Sequence, residues 1–228
     1  MDLKGIINAM LAESGFLTSQ QYAKSPNPDD VQVFALANRS ARELSKYNWQ
    51  ALRRVHEIQL TDSELYDLPT DYRQLINDTM WSKGQNRPID SPTNDLAWAY
   101  LKSHSGSTGI QYKARILNNK INVINPTPGD VIRFEYISNF PAADREGERL
   151  ERFSSDTDIW LLDDDLLIMD LTWRFKKAKG VHDWQEDKAS CEKYKRSLQG
   201  SDESAKVINT LGGDDSAALN EPYYELYR

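Results

Sequence analysis

Five aspartates fall close together in the C-terminal half of the chain: Asp156, Asp158, Asp163, Asp164 and Asp165. Carboxylates at this density suit a cation site or a metal-dependent hydrolase, where several oxygens converge on one divalent ion. A calcium loop would alternate its oxygen donors, turn on a glycine and close with a glutamate. Here Trp160, Leu161 and Leu162 fill the middle instead. A two-metal site needs carboxylates projecting from separate elements, which a sequence does not display. The same acids fit the first turn of a helix, where side-chain oxygens cap free N–H groups and negative charge meets the positive end of the dipole. The helix-start reading is preferred. A metal-dependent hydrolase using the Asp156–Asp165 cluster stands as the alternative.

Other chemistry finds less support. His56, His104 and His182 are the histidines, and none has HExxH spacing. Cys191 falls on an apolar helix face, which suits a core thiol better than a nucleophile. No GxxxxGK[ST] or GxGxxG occurs, so there is no phosphate cradle. The run from His104 to Gly109 is Ser-rich but lacks the strand–elbow–helix setting of a GxSxG nucleophile, and reads as a loop. No catalytic residue, cofactor or metal ligand set is expected.

The element that carries the acids spans residues 156–198. Leu167, Leu171, Phe175 and Ala178 share one helical face, with Asp163, Asp164 and Asp165 at the start. Lys176, Lys177 and Lys179 lie in the last turn, matching the dipole, and Gly180 is a stop signal. A second helix follows with Trp184, Cys191, Tyr194 and Leu198 on one side. Two such helices around a glycine form an αα-hairpin, expected to be the core of the fold. Arg174 with Lys176, Lys177 and Lys179 could touch phosphate, and a helix end lining an interface fits them equally well.

Upstream, the apolar spacing predicts a helix over residues 3–12. A longer one starts at Asp29 and Asp30, with Phe34, Ala37, Ala41 and Leu44 as its stripe. Trp49 to Val55 reads as a helical continuation, and His56 to Leu60 as a strand. Short extended pieces are expected at Thr79–Trp81 and Arg87–Ile89, and a brief helix over residues 94–102. Ile110–Ile116 and Ile121–Ile124 form a hairpin about Asn118-Asn119, because asparagine tolerates positive φ. Val131–Ser138 is a strand, and residues 139–155 a charged loop. After a weak helix over 201–211, Gly212-Gly213-Asp214-Asp215-Ser216 reads as a linker. The tail beyond it, with Leu219, Pro222, Tyr223, Tyr224, Leu226, Tyr227 and Arg228, suits an arm that docks on a partner, since tyrosine is favoured as an interface anchor.

The predicted class is α+β, mainly α. A helical bundle core of residues 1–55 and 155–211 carries a small inserted antiparallel β-sheet domain (56–154), and an extended, flexible C-terminal docking arm follows (212–228). Composition bounds the function. The 228 residues are 39% hydrophobic, enough for a real core, and the net charge of −7 argues against a general nucleic-acid binder. An acidic wall would instead let DNA slide past without sequence recognition. One cysteine excludes an internal disulfide framework. No apolar run reaches the ~20 residues of a membrane span, and a soluble protein made in the cytoplasm is expected.

A series of short motifs carries a family likeness. Phe153-x-x-Asp156-Thr157-Asp158, Asp165-Leu166-Leu167 and Leu171-x-Trp173-Arg174-Phe175-Lys176-x-Ala178-x-Gly180 occur in that order. Before them come Leu68-Pro69-x-Asp71-Tyr72, Asp78-Thr79-x-Trp81, Arg87-Pro88, Pro126-x-Pro128-Gly129-Asp130 and Phe134-Glu135-Tyr136-Ile137-Ser138. Together they resemble the head-to-tail adaptor (connector) proteins of short-tailed bacteriophages, over about residues 30–195. The resemblance implies a structural virion protein at the portal–tail junction, forming a homo-oligomeric ring of twelve. Its partners would be the portal protein, a tail nozzle or tail tube protein and tail fibres, with DNA passing through the channel. The arm from Leu219 to Arg228 would grip the portal. Asp163, Asp164 and Asp165 of one copy would meet Arg174, Lys176, Lys177 and Lys179 of the next, in a contact that closes by rotation. A non-phage interaction scaffold is the other reading from outside enzymology.

Overall fold

The computed structural model describes residues 1–90, 94–104 and 112–204. The Ser-rich loop after His104, the linker and the aromatic arm lie outside the described residues, as does the predicted weak helix beyond Ser204. The first helix, α1 (Leu3–Glu13), is capped by Asp2, whose side chain accepts the Gly5 N–H, and it buries Leu3, Ile6, Ile7, Met10 and Leu11. Helix α2 (Pro28–Leu44) starts on Asn27, with Pro28 at its first position where no N–H partner is needed. Its buried stripe is Asp30, Val33, Ala37, Ser40, Ala41 and Leu44, and Phe34 packs half-buried against the same core. A single 3₁₀ turn, Gln50–Leu52, replaces the expected helical continuation, and strand β1 (Arg53–Gln59) already begins at Arg53.

The sheets are built from β1, β2 (Leu65–Asp67), β3 (Tyr72–Leu75), β4 (Trp81–Ser82), β5 (Arg87–Pro88), β6 (Lys113–Leu117), β7 (Lys120–Ile124) and β8 (Val131–Ser138). The short α3 (Asp95–Ser103) lies between β5 and β6. Strand β8 is the centre of the largest sheet. Along one edge it pairs with the whole of β1, from Arg53 opposite Ile137 to Gln59 opposite Val131, and along the other with β3 and β4. A second sheet runs β2-β7-β6, its hairpin closed by Asn118 and Asn119 at φ 52° and 58°, the primed-turn geometry whose twist matches the strands. A third is made of two-residue strands, β9 (Ala142–Ala143), β10 (Arg149–Leu150) and β11 (Ile159–Trp160).

This corrects the expectation of a mainly helical bundle. The described residues hold five α-helices and eleven strands in three antiparallel sheets. Sequence periodicity under-counted strands because several are only two or three residues long, too short for alternation to register. The β9–β11 sheet lies where a charged loop and the approach to the acidic run were read.

Two apolar cores result. One gathers α1, α2, Trp49, Leu52, Phe153, Trp160, α4 (Asp164–Lys179) and Cys191 of α5 (Trp184–Ser204). The other lies within the sheets around Ile121, Ile132, Phe134 and Tyr136. The αα-hairpin is present, but its two halves are unequal. Helix α4 buries Leu166, Leu167, Ile168, Asp170, Leu171 and Phe175, whereas α5 through Asp202 buries only Cys191 and Lys195. Ala178, expected on the stripe, is exposed.

Candidate assembly interface

Helix α4 is packed by α1, α2 and α5, and its two ends carry opposite charge. At the start, Asp163 is the N-cap: its Oδ1 accepts the Leu166 N–H at 2.8 Å and the Tyr194 hydroxyl at 3.2 Å. Asp164 meets the Met1 amino group at 2.5 Å. Asp165 is exposed and makes no ion pair among the described residues. The two acids before the helix close loops. Asp156 accepts the backbone N–H of Tyr22 at 3.1 Å and of Ala23 at 2.9 Å. Asp158, buried, accepts those of Ser154 at 2.6 Å and Ser155 at 2.9 Å. The five carboxylates therefore diverge, and no group of three His, Cys, Asp or Glu that could hold a metal ion occurs among the described residues.

At the other end the chain stops on Gly180 at φ 72°, with the Gly180 N–H on Lys177 O and the Val181 N–H on Lys176 O. This left-handed cap favours glycine. Of the bases there, Lys176 and Lys179 have partners that sequence spacing does not reveal. Arg174 Nε lies 2.6 Å from Asp170 Oδ2, and its guanidinium stacks 4.4 Å over the Trp173 ring. Lys176 reaches Asp187 of α5 at 2.7 Å, which holds its amine above the usual lysine range. Lys179 reaches Asp29 of α2 at 2.6 Å, while Lys177, exposed, rests 4.7 Å over Trp184. The predicted acids and bases are thus separated along the helix by nine residues or more, from Asp165 to Arg174, roughly 14 Å at 1.5 Å per residue. Within one copy the two sets do not meet.

Each end also has a feature that periodicity did not single out. Beside the basic end, α1 closes with the Gly15 N–H on Ala12 O and the Phe16 N–H on Leu11 O, Gly15 standing at φ 73°. These two bonds are the Schellman pattern, which fixes the path of the exiting chain. Phe16 then packs edge-on against Phe175 at 5.0 Å, and Leu17 projects with 95% of its surface exposed. Beside the acidic end lies an open groove of about 450 Å³ lined by Trp49, Ala51, Leu161, Leu162, Leu166 and Leu198. Asp163 and Asp202 stand on its rim.

Three further carboxylates are buried, two of which, Asp71 and Asp130, occur in the motifs above without their structural role being marked. Asp170 accepts from Trp173 Nε1 at 2.8 Å as well as from Arg174. The i, i+4 Asp–Arg spacing was the available signal. Asp71 takes the Tyr136 hydroxyl at 2.8 Å and Arg54 at 2.9 Å. Asp130 takes the Ser82 hydroxyl and the Gly84 and Val131 N–H groups, each at 2.6 Å. The partners of Asp71 and Asp130 come mostly from other strands, so no local pattern marks them.

Among known proteins, the profile of the SU10 adaptor protein family matches residues 1–220. No curated protein matches the chain. The match spans nearly all of it, and the chain belongs to the SU10 adaptor protein family, in keeping with the phage head-to-tail adaptors that its motif order resembles.

Proposed function

We propose, with membership of the SU10 adaptor protein family as the premise, that this chain joins head to tail in a bacteriophage particle. Twelve copies form a ring on the portal, receive the tail nozzle or tail tube protein and continue the DNA channel. Tail fibres attach at the same junction. The protein is made in the host cytoplasm and ends up in the virion, where it acts by binding rather than by catalysis. The family match across residues 1–220 carries this reading.

Three features support it. The net charge of −7 disfavours phosphate adhesion, as a channel through which DNA must slide requires. The opposite ends of α4 suit a head-to-tail contact, with exposed Asp165 of one copy facing Lys177 of the next. Arg174, Lys176 and Lys179, held by Asp170, Asp187 and Asp29, shape the basic end of that contact. The helix-bearing part (1–55 and 155–211) builds the ring, and the sheet-bearing part (56–154) is carried on it. The arm from Leu219 to Arg228 docks on the portal through Tyr223, Tyr224 and Tyr227.

The test is particle mass, measured for the protein alone and mixed with purified portal rings. A ring-sized mass increment on the portal is expected, and a protein that leaves portal rings unchanged would overturn the proposal. A chain ending at residue 218 should bind portal more weakly, and undiminished affinity would refute the arm.

A further inference from the structure

We propose that Leu17 of one copy seats in the apolar groove beside Trp49 and Leu166 of the next. This contact rests on the self-assembly reading and names the surfaces that would make it. The knob and the groove lie at opposite ends of α4: Leu17 follows the Phe16 that packs on Phe175, and Leu166 forms part of the groove wall. A contact between unlike surfaces of identical chains is heterologous, the kind that closes into a ring when the rotation permits.

The knob is ordered before it binds. The two hydrogen bonds that end α1 fix its base, and Phe16 anchors it on Phe175. Beyond it, the Ser19 N–H donates to the Tyr22 hydroxyl at 2.9 Å, and that hydroxyl donates to Asn8 Oδ1 at 2.5 Å. A loop held on both sides loses little freedom on docking, yet it leaves one leucine almost bare. Charge gives the occupant its direction. Acidic Asp163 and Asp202 line the groove with Asp165 on the first turn beside it, while at the knob's end of the helix stand exposed Lys177 and Lys179, the latter paired with Asp29 and 5.4 Å from the centre of the Phe175 ring. Docking a copy by its knob brings its basic end to this acidic rim, and like charges would oppose the reverse pairing.

The experiment uses the full chain, with and without portal rings. Leu17→Asp should weaken assembly about ten- to hundredfold, the scale set by burying one leucine side chain. Its melting temperature should not change, because the side chain touches so little of its own copy. Ala51→Trp, which fills the groove from an exposed position, should weaken assembly similarly. A Leu17→Cys/Leu162→Cys chain treated with a short bis-maleimide should give a ladder of linked multimers. Cys191 stays silent, since burial and then Asp170 push its thiol up to about 12. Rings that form equally well from Leu17→Asp, without a ladder, would overturn this contact and leave the adaptor reading standing. A Leu162→Cys/Ile208→Cys link within a single chain would give the groove to the chain's own C-terminal segment, and would also overturn it. Absence of any assembly, alone or on portal rings, would sink the self-assembly reading and the contact together.

Discussion

A Cβ placed on Gly84 would overlap Oδ1 of Asp130 and stand 2.6 Å from its Cγ. The carboxylate cannot retreat without giving up the Ser82 hydroxyl and the Gly84 and Val131 N–H groups that fasten β4 to β8. Gly84→Ala should therefore lower stability by about 1–3 kcal/mol, the usual cost of overpacking. Urea unfolding at neutral pH measures it, and a midpoint equal to that of the parent protein would show that the strand pair yields freely.

Acid should loosen the sheet through Asp71. Burial pushes this carboxyl up, but hydrogen bonds from Ser138, Tyr136 and Arg54 outweigh it, and the net position is below the ordinary 3.8. A depressed folded value means that the contribution is complete above about pH 3.8 and is lost as pH falls below it. Asp130 is depressed as well and adds to the loss in the same window. Chemical denaturation across pH 2–6 should show Asp71→Asn less stable than the parent near pH 6, with a flatter acid limb. Parallel profiles for the two proteins would remove Asp71 from the account.

Alkali acts on the partner hydroxyl. Burial first, then the adjacent Asp71 carboxylate, pushes Tyr136 up from 10.0 to about 12. A raised folded value leaves stability intact below 10.0 and erodes it as pH climbs toward about 12. Burial also raises Tyr22, Tyr72, Tyr112 and Tyr194, so in a tyrosinate absorbance titration Tyr136 should be the last of a late-ionising group, and Tyr136→Phe should remove that last step. An unchanged titration curve in the variant would contradict the assignment.

Asp170→Ala should be costly. The carboxylate is 5% exposed and holds both Arg174 and the Trp173 indole. Its loss strands a guanidinium in a poorly hydrated site, a change of about 3–5 kcal/mol. Replacing both members, Asp170→Ala with Arg174→Met, should recover part of that loss in guanidinium melts. A double variant no better than Asp170→Ala alone would refute the pairing as the cause.

The helices were more legible than the sheets, for a physical reason. Asp163, Gly180 and the leucines between them act locally, through a cap, a left-handed stop and a repeating face, so their spacing alone locates α4. Asn118-Asn119 was equally plain because the turn needs residues that accept positive φ. By contrast, the segment from Trp49 to Val55 has helical texture, yet Arg53 to Val55 pair with Glu135 to Ile137, residues eighty or more positions away. That ladder overrides local preference. The charged ends of α4 were read correctly as ends, but the lysines looked free because Asp29 and Asp187 reach them from other helices. Leu17 carried no signal at all, since an exposed leucine in a loop looks like any other until the fold shows what surrounds it.

Strand β8 belongs to both apolar cores: Ile132, Phe134 and Tyr136 sit in one, and Ile137, a single residue on, sits in the other. Mechanically, the two parts are therefore not beads on a string. Tension applied to the sheet-bearing part runs down one continuous strand into the packing around α1 and α4. The β1–β8 ladder, seven residue pairs long, would have to shear as a unit before either part could swing. Pulling a single molecule from its two ends should give one dominant rupture for the two cores, and two well-separated events would show that they yield independently. In the head-to-tail role proposed above, such a component would transmit load without a hinge.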